Sequence, residues 1–259
     1  MDSVPNVLLN DGTAMPQLGL GTWQVGQPGV ETALAVGYRS LDTATIYRNE
    51  EDVGRAIAAS DVPRDELFVA TKVWEADQGF ESTLRAFEQS RERLGLDVID
   101  LYLIHWPAPD LDRYVDTWRA LERLRLEGSA RCVGVSNFNP DQLDRLARET
   151  ETVPAVNQIE LHPRLAQSTL REYHQAHGIV TVAYSPLDQA STILRDPVVT
   201  EIAERLGRTP AQVVLRWSIE LGNVVIPRSS NPQRIEENFR VFDFELDSAD
   251  VEAIGALEQ

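Results

Sequence analysis

Short apolar runs alternate along the chain with longer amphipathic stretches, and this alternation constrains the fold more than any other feature. Eight runs have the length and composition of buried strands: Leu18–Gly21, Arg39–Asp42, Leu67–Lys72, Ile99–His105, Cys132–Ser136, Ala155–Glu160, Val180–Ser185 and Val224–Pro227. The stretches between them include several with helical character: Asn49–Ala58, Phe80–Leu94, Asp112–Leu126, Pro140–Glu149 and Thr169–His177. Strand followed by helix, eight times within 259 residues, predicts an α/β fold of the closed (β/α)8 TIM-barrel type.

Two parts of the chain fall outside the eightfold pattern. Val7–Leu9 and Thr13–Met15 flank an Asp-Gly turn and predict an N-terminal β-hairpin, which we expect to close the N-terminal end of the barrel. Three further stretches near the C-terminus predict extra helices: Pro210–Ile219, Pro232–Phe239 and Ser248–Ala256. No linker-like segment divides the chain, so we expect one domain over residues 1–259.

Charge and composition exclude several classes of partner. The chain has 24 Lys and Arg against 41 Asp and Glu, a net charge of −17, which opposes binding to nucleic acid. No apolar run is long enough to span a membrane, and the first residues lack the pattern of a signal peptide. The single cysteine, Cys132, fits a reducing cytoplasm, and without a long apolar edge we expect a monomer.

Polar residues follow several of the predicted strands at the end where a barrel carries its chemistry. Three neighbouring predicted strands have a polar last residue, namely Asp42, Lys72 and His105, and Tyr47 follows Asp42 after a short loop. Taken singly, each is more often a capped or solvated residue. Four such residues at one end of neighbouring strands predict a catalytic site.

The four side chains suggest a specific acid–base role. A buried lysine needs a carboxylate partner, which Asp42 on the adjacent strand provides. We expect the Lys72 ammonium to lower the pKa of the Tyr47 phenol towards neutral pH, so that Tyr47 donates a proton. His105 would orient a substrate carbonyl. This arrangement suits protonation of an oxygen while a nucleophile such as hydride attacks carbon.

The segment before Pro232-Phe239 has the features of a phosphate site after the last strands of a barrel. Asn231 is a favourable helix N-cap, and Pro232 suits the first position of the helix. The free backbone N–H groups of a helix N-terminus attract anions. Arg228 and Arg234 add positive charge, which favours the 2′-phosphate of NADP(H).

Two alternatives bear on this cofactor site. The first is that the two arginines instead pair with Glu236 and Glu237. A Rossmann fingerprint is excluded, because Gln24 stands where the Gly19-x-Gly21 pattern would need glycine or alanine.

Several motifs, in order along the whole chain, resemble the aldo-keto reductase family. They are Gly19–Trp23, Leu41–Tyr47, Asn49-Glu50, Val53-Gly54, Asp100–Pro107, Gly134–Phe138, Asn157–Pro163 and Arg234–Asn238. The chain is most similar to the bacterial branch that includes 2,5-diketo-D-gluconic acid reductases. The resemblance implies a barrel enzyme that transfers hydride from NADPH to aldehydes, ketones or keto-sugar acids without a metal. Asp42, Tyr47, Lys72 and His105 would form its catalytic tetrad, with Tyr47 as proton donor.

The resemblance also implies binding residues. Ser136, Asn137 and Gln158 would bond the nicotinamide carboxamide, and Tyr184 would stack on the nicotinamide ring. The remaining implied cofactor contacts, besides Arg228 and Arg234, are Gly21, Thr22, Ser185, Leu187, Ile226, Ser229, Glu237 and Asn238. Trp23 and Trp106 would line the substrate pocket, the alternative being that they simply fill the core.

The chain departs from the family pattern at three points. Arg228 stands where most relatives have lysine, and a planar fork replaces a point charge. Asp188 stands where many have glycine, in a loop expected near the pyrophosphate, which calls cofactor affinity into question unless the carboxylate points away. The chain ends at Gln259, before the tail that covers the substrate pocket in relatives, so we expect a more open pocket with broader substrate selection.

Other readings of the same residues remain open. Some relatives are redox-sensing regulatory subunits that bind NADPH with little turnover. A barrel hydrolase would use Glu160 and Asp42 as a carboxylate pair, which Lys72 disfavours. His174 and His177 have the spacing of metal ligands but lack a third partner, so we expect a solvated helix face.

Overall fold

The computed structural model describes residues 4–188 and 192–258 and has the predicted (β/α)8 barrel. Eight parallel strands form its sheet in chain order: β3 (Leu20–Gly21), β4 (Ser40–Asp42), β5 (Phe68–Val73), β6 (Ile99–Ile104), β7 (Ala130–Ser136), β8 (Val156–Glu160), β9 (Val180–Tyr184) and β10 (Val224–Val225). Leu18 pairs with Val225 and Gly21 with Arg228, both in parallel, which joins the first strand to the last and closes the barrel.

The N-terminal hairpin is also present. Strands β1 (Asn6–Leu8) and β2 (Ala14–Pro16) pair antiparallel, with Leu8 opposite Ala14. Leu9 and Met15 are buried in the apolar cluster inside the barrel. The hairpin therefore covers one end of that interior.

Ten α-helices surround the sheet in the described part of the chain. They are α1 (Gln27–Val36), α2 (Glu50–Ala59), α3 (Phe80–Leu94), α4 (Tyr114–Leu126), α5 (Pro140–Glu149), α6 (Ser168–Ala176), α7 (Pro197–Leu206), α8 (Pro210–Glu220), α9 (Pro232–Phe239) and α10 (Ser248–Gly255). α1 and α7 lie outside the stretches named from the sequence. The predicted extra C-terminal helices correspond to α8, α9 and α10.

Local sequence signals explain several helix ends. Asn139 and Thr209 each form a capping box with the glutamine three residues later, and a proline follows each as the first helical residue. Gly95 and Gly207 end α3 and α7 in the left-handed conformation that glycine adopts without strain. No helix among the described residues is long and apolar enough to cross a membrane.

Candidate active site

The strand period brings the predicted polar groups to one end of the barrel interior. Side chains of a strand alternate between its two faces, so every second residue points the same way. On β5, Phe68 and Ala70 pack inside the barrel, and Lys72 is the next residue in that series. Leu101 and Leu103 precede His105 in the same manner. Lys72 and His105 therefore lie just above the apolar interior, at the carboxyl ends of their strands.

Asp42 and Lys72 form a buried ion pair. Lys72 Nζ donates to Asp42 Oδ1 at 2.5 Å and to the carbonyl oxygen of Thr43 at 2.9 Å. Burial opposes the charged form of Lys72, but the charges of Asp42 and Tyr47 outweigh it, so the pKa of Lys72 is raised. The lysine is thus held as an ammonium ion in the interior, as predicted.

Tyr47 lies at the end of a 3₁₀ turn, Thr45–Tyr47, beside this pair. Lys72 Nζ is 5.2 Å from the centre of the phenol ring, and the ring meets His105 edge-on at 5.6 Å between centroids. Burial raises the pKa of Tyr47, the Lys72 charge lowers it and the Asp42 charge raises it, with a net rise. The predicted net lowering is therefore wrong: Lys72 acts in the expected direction, but burial outweighs it.

His105 is held as a neutral ring. Burial, and then the charge of Lys72, lowers its pKa to about 3. Its Nδ1 is buried without a hydrogen-bond partner in the described part of the chain, and Trp74 packs edge-on against the ring at 5.2 Å. A neutral imidazole can donate one hydrogen bond, which suits orientation of a carbonyl and does not suit proton transfer near neutral pH.

The residues expected to contact a nicotinamide form a connected group at the ends of β7, β8 and β9. The carbonyl oxygen of Gln158 accepts from Ser136 Oγ at 2.8 Å and from the Asn137 backbone N–H at 2.9 Å. The Tyr184 hydroxyl donates to Asn137 Oδ1 at 2.9 Å, and Asn137 Nδ2 donates to the carbonyl oxygen of His105 at 3.1 Å. Burial raises the pKa of Tyr184 to about 12, so its hydroxyl remains a donor. The sequence-predicted set is thus brought together beside Asp42 and His105.

His174 is not on a solvated face, contrary to expectation. It is fully buried, with Nε2 2.9 Å from Asn157 Nδ2 and Nδ1 2.9 Å from Thr181 Oγ1. Asn157 also donates to the carbonyl oxygen of Phe138 at 2.8 Å. The histidine therefore supports the loop after β7. His177 is exposed and stacks on the neighbouring Tyr173 ring, and the described residues contain no group of side chains suited to a metal ion.

The candidate phosphate site lies at the start of α9. Asn231 caps the helix by accepting from the Arg234 backbone N–H at 3.1 Å. Arg228 and Arg234 are exposed, and neither forms an ion pair with a carboxylate in residues 4–188 and 192–258. Two guanidinium groups at a capped helix start, without a carboxylate partner among the described residues, fit a ligand that carries an additional phosphate.

The alternative pairing of these arginines with the neighbouring glutamates is wrong. Glu236 pairs with Arg240, one turn later on α9. Glu237 accepts from Thr209 Oγ1 at 2.7 Å. Arg228 instead donates to Gln24 Oε1 at 2.7 Å and lies over the Trp23 ring at 5.0 Å.

Other expected cofactor residues have structural duties. A Cβ atom at Gly21 would lie 2.8 Å from the carbonyl oxygen of Ile226, so glycine permits the close approach of β3 to the last strand. Thr22 Oγ1 donates to the carbonyl oxygen of Asp42 at 2.9 Å. The others are half-buried or buried at the strand ends and on α9: Ser185, Leu187, Ser229, Glu237 and Asn238.

Trp23 and Trp106 do not fill the core. Their side chains are 46% and 40% exposed, and each follows the end of a barrel strand. The tryptophans that fill the core are Trp118 and Trp217, both on helices. The positions of Trp23 and Trp106 therefore suit a pocket wall at the mouth of the barrel.

Two further residues of this region were missed by sequence reasoning. Trp74 packs against His105, and Gln78 Nε2 donates to the carbonyl oxygen of Trp106 at 2.7 Å. Trp74 stands just after β5, so the strand-end rule that singled out Trp106 would have found it. Nothing in the sequence pattern singles out Gln78.

Asp188 points towards His162 rather than being left open in its loop. Its Oδ1 is 3.6 Å from His162 Nε2, and Glu160 Oε1 is 3.5 Å from the same nitrogen. Its backbone has a φ of 47°, in the left-handed region that glycine adopts without strain. His162 itself is buried, and Cys132 is buried inside the barrel, where burial raises the pKa of its thiol.

Comparisons with known proteins agree with the geometry. Residues 17–259 match the model of the Aldo/keto reductase family. An aldo-keto reductase of Mycolicibacterium smegmatis is 55% identical over 98% of this chain and 94% of its own length. A 9,11-endoperoxide prostaglandin H2 reductase of Trypanosoma cruzi is 51% identical over 98% of this chain and 91% of its own.

Solved structures show the same likeness. A Brucella melitensis aldo/keto reductase superposes with a TM-score of 0.95 at 50% identity, covering 99% of this chain and all of the other. A Bombyx mori aldo-keto reductase in complex with NADP has a TM-score of 0.93 at 37% identity, covering 100% of this chain and 94% of the other. A mutant of Gox0644 in complex with NADPH has a TM-score of 0.95 at 44% identity, covering 100% and 95%.

Proposed function

Because this chain belongs to the aldo/keto reductase family, we propose that it reduces aldehydes, ketones or keto-sugar acids to alcohols with Tyr47 as the proton donor. The observation that carries the proposal is the buried Asp42–Lys72 pair beside the Tyr47 phenol, with a neutral His105 next to it. These four side chains would act as one acid–base group.

The chain is an NADP-dependent oxidoreductase of this family that acts on small carbonyl compounds. When bound, the cofactor supplies the hydride. Arg228 and Arg234 would hold its 2′-phosphate, because both guanidinium groups are free of carboxylates in the described residues. Ser136, Asn137 and Gln158 would bind the carboxamide. The further cofactor contacts we propose are Gly21, Thr22, Tyr184, Ser185, Leu187, Ile226, Ser229, Glu237 and Asn238.

The roles of the tetrad follow from its charges. Asp42 holds Lys72 charged in the interior, and the ammonium stabilises the phenolate that remains when Tyr47 gives up its proton. The raised pKa of Tyr47 keeps its proton in place at neutral pH until an acceptor oxygen arrives. Neutral His105 would donate a hydrogen bond to that oxygen and so orient the carbonyl.

The substrate would enter between Trp23 and Trp106 at the mouth of the barrel. The proposal also places the chain in the bacterial branch of 2,5-diketo-D-gluconic acid reductases. It further includes a single domain over residues 1–259, a monomeric state and a cytoplasmic location. The apolar walls and the polar tetrad together suit a small molecule with a polar carbonyl and an apolar or sugar-like body.

The test follows NADPH absorbance with a panel of aldehydes, diketones and keto-sugar acids. We expect oxidation by the wild-type protein and by Tyr173→Phe, a matched change at a half-buried tyrosine of α6 whose hydroxyl donates to Asp144 of α5. Tyr47→Phe should lower turnover by at least about 100-fold while NADPH affinity stays within about twofold, since the phenol group contributes the proton and not binding.

Other results would redirect the proposal. Substantial turnover by Tyr47→Phe would contradict the role of Tyr47 as proton donor. Tight NADPH binding without turnover in the wild type would favour a redox-sensing regulatory subunit. Hydrolysis without a nicotinamide cofactor would favour the carboxylate pair of Glu160 and Asp42.

A further inference from the structure

We propose that Gln158 is a positioning residue for the proton donor: its side-chain amide holds the second oxygen of Asp42 and so limits the negative charge that reaches Tyr47. This inference rests on the proposed function. It assigns to Gln158 a task that is separate from contact with the cofactor.

The two oxygens of Asp42 have different partners. Oδ1 accepts from Lys72 Nζ at 2.5 Å, and Oδ2 accepts from Gln158 Nε2 at 2.8 Å. Asp42 is 4% exposed, so solvent offers no substitute for either donor. A carboxylate with only one donor in such a place would be free to rotate about its last bond, and it would carry more uncompensated charge.

Gln158 is itself fixed at its backbone. It pairs in register with Ser136 of β7, and its carbonyl oxygen accepts from Ser136 Oγ and from the Asn137 N–H. The side chain is 2% exposed and reaches from β8 across the barrel to the end of β4. A long side chain with a fixed base and an occupied amide nitrogen is a brace between two strands of the site.

The brace also constrains how Gln158 meets a cofactor. One of the two N–H bonds of its amide nitrogen is committed to Asp42, and its Oε1 is the acceptor that remains. Rotation of the amide to present nitrogen elsewhere would put Oε1 against a carboxylate oxygen, where two acceptors repel. The Gln158 Oε1 atom can therefore accept a hydrogen bond from the N–H of a carboxamide group.

The hydrogen bond from Gln158 affects the reaction through the charge of Asp42. The Asp42 carboxylate raises the pKa of Tyr47, and the Lys72 ammonium lowers it. A donor on Asp42 weakens the first effect. Removal of the Gln158 donor should therefore raise the pKa of Tyr47 and make it a weaker acid, with Lys72 still in place.

Gln158→Met tests this, because methionine keeps the length of the side chain and removes the donor. In the protein without cofactor, the ionisation of Tyr47 is measured as the difference in tyrosinate absorbance between each protein and the same protein carrying Tyr47→Phe, with circular dichroism to monitor the fold. We expect the midpoint to rise by about one pH unit. The alkaline decline of kcat for carbonyl reduction should move upwards by a similar amount.

Ser136→Ala is the comparison variant. Its hydroxyl bonds the Gln158 backbone and not Asp42, so we expect weaker NADPH binding with the Tyr47 midpoint unchanged. Gln158→Glu is the conservative variant. Its protonated carboxyl can donate to Asp42 as the amide does, so its kcat should approach the wild-type value at low pH and fall as that carboxyl ionises beside Asp42.

The outcomes separate this inference from the proposed function. An unmoved Tyr47 midpoint in Gln158→Met, with a raised KM for NADPH alone, would overturn the positioning role and leave the reductase intact. A wild type without Tyr47-dependent reduction would overturn the proposed function. The titration without cofactor would still decide whether Gln158 sets the acidity of Tyr47.

Discussion

Tyr47 and His105 show how burial decides the protonation of neighbouring side chains. Both lie within reach of the same ammonium group on Lys72. Burial raises the pKa of the phenol and lowers the pKa of the imidazole to about 3, because in each case it disfavours the charged form. The residue types and their convergence could be predicted from strand ends. The net direction for Tyr47 could not, since the depth of burial is a property of the closed barrel.

Arg234 gives a prediction about cofactor choice. The Arg234→Ala variant should bind NADPH roughly tenfold to a hundredfold more weakly, because a charge-assisted bond to the 2′-phosphate is lost. NADH, which lacks that phosphate, should bind as before. Dissociation constants for both cofactors, measured by fluorescence titration, check this.

Arg240→Ala is the matched control for that variant. Arg240 follows the last residue of the same helix and already pairs with Glu236, so its loss should not discriminate between the two cofactors. Equal weakening of NADPH and NADH in Arg234→Ala would place Arg234 away from the 2′-phosphate.

Among the elements, all eight barrel strands were predicted from the sequence, whereas two of the ten helices in the described residues were not. Phe80–Leu94 and Pro140–Glu149 have the predicted bounds, because each begins after a clear start signal or carries an unambiguous apolar stripe. α1 and α7 were not named, although Asp196, Pro197 and Gly207 mark the start and the end of α7. The barrel strands are short and sit between helices, so their order along the chain was enough to indicate a parallel sheet.

The position of α6 shows what an element's own sequence omits. His174 is a titratable residue near the end of that helix, and the sequence therefore predicted that its side chain is exposed to solvent. Its partners, Asn157 and Thr181, belong to the strands before and after the helix. Only the packing of α6 onto those strands shows that the ring is a buried part of the support for the β7 loop.

His174 therefore predicts a pH dependence of stability. Burial, followed by the charges of Arg171 and His177, lowers its pKa to about 4 in the folded protein, against about 6.5 when unfolded. The unfolded state binds the proton first as pH falls, so this stabilisation is complete above about pH 6.5 and is lost towards pH 4. Between pH 7 and pH 5.5, His174 should cost the wild type about 1 kcal/mol of unfolding free energy.

Urea denaturation at these two pH values measures the effect. His174→Gln, which can still bond Asn157 and Thr181, should show a pH-dependent loss smaller than that of the wild type by about 1 kcal/mol. The exposed His177, which follows the last residue of the helix, supplies the control: His177→Gln removes only the smallest of the three causes that lower the pKa of His174, so its loss should stay much closer to that of the wild type than to that of His174→Gln. An identical loss in all three proteins would show that His174 does not titrate in this range.

At the scale of the whole molecule, closure of the barrel is what assembles the site. The Gly21 N–H donates to the carbonyl oxygen of Pro227, and the Gly19 N–H to that of Val225, contacts between residues about two hundred positions apart. Closure holds β3 and its following loop, with Trp23, beside Arg228. Strand order predicted that such contacts exist, but the sequence does not show which glycine they depend on.

Gly21→Ala tests that dependence. The added Cβ would lie 2.8 Å from the carbonyl oxygen of Ile226, and backbone cannot rotate away as a flexible side chain can. We expect a loss of roughly 1–3 kcal/mol in the free energy of unfolding, as for other overpacked sites, measured by urea denaturation. Gly255→Ala, near the end of α10 with no atom closer than 4.0 Å, should be neutral or stabilising by up to about 1 kcal/mol. If both variants were as stable as the wild type, the contact between the first and last strands would have room for a side chain, and the glycine at position 21 would need another explanation, such as close approach of the cofactor.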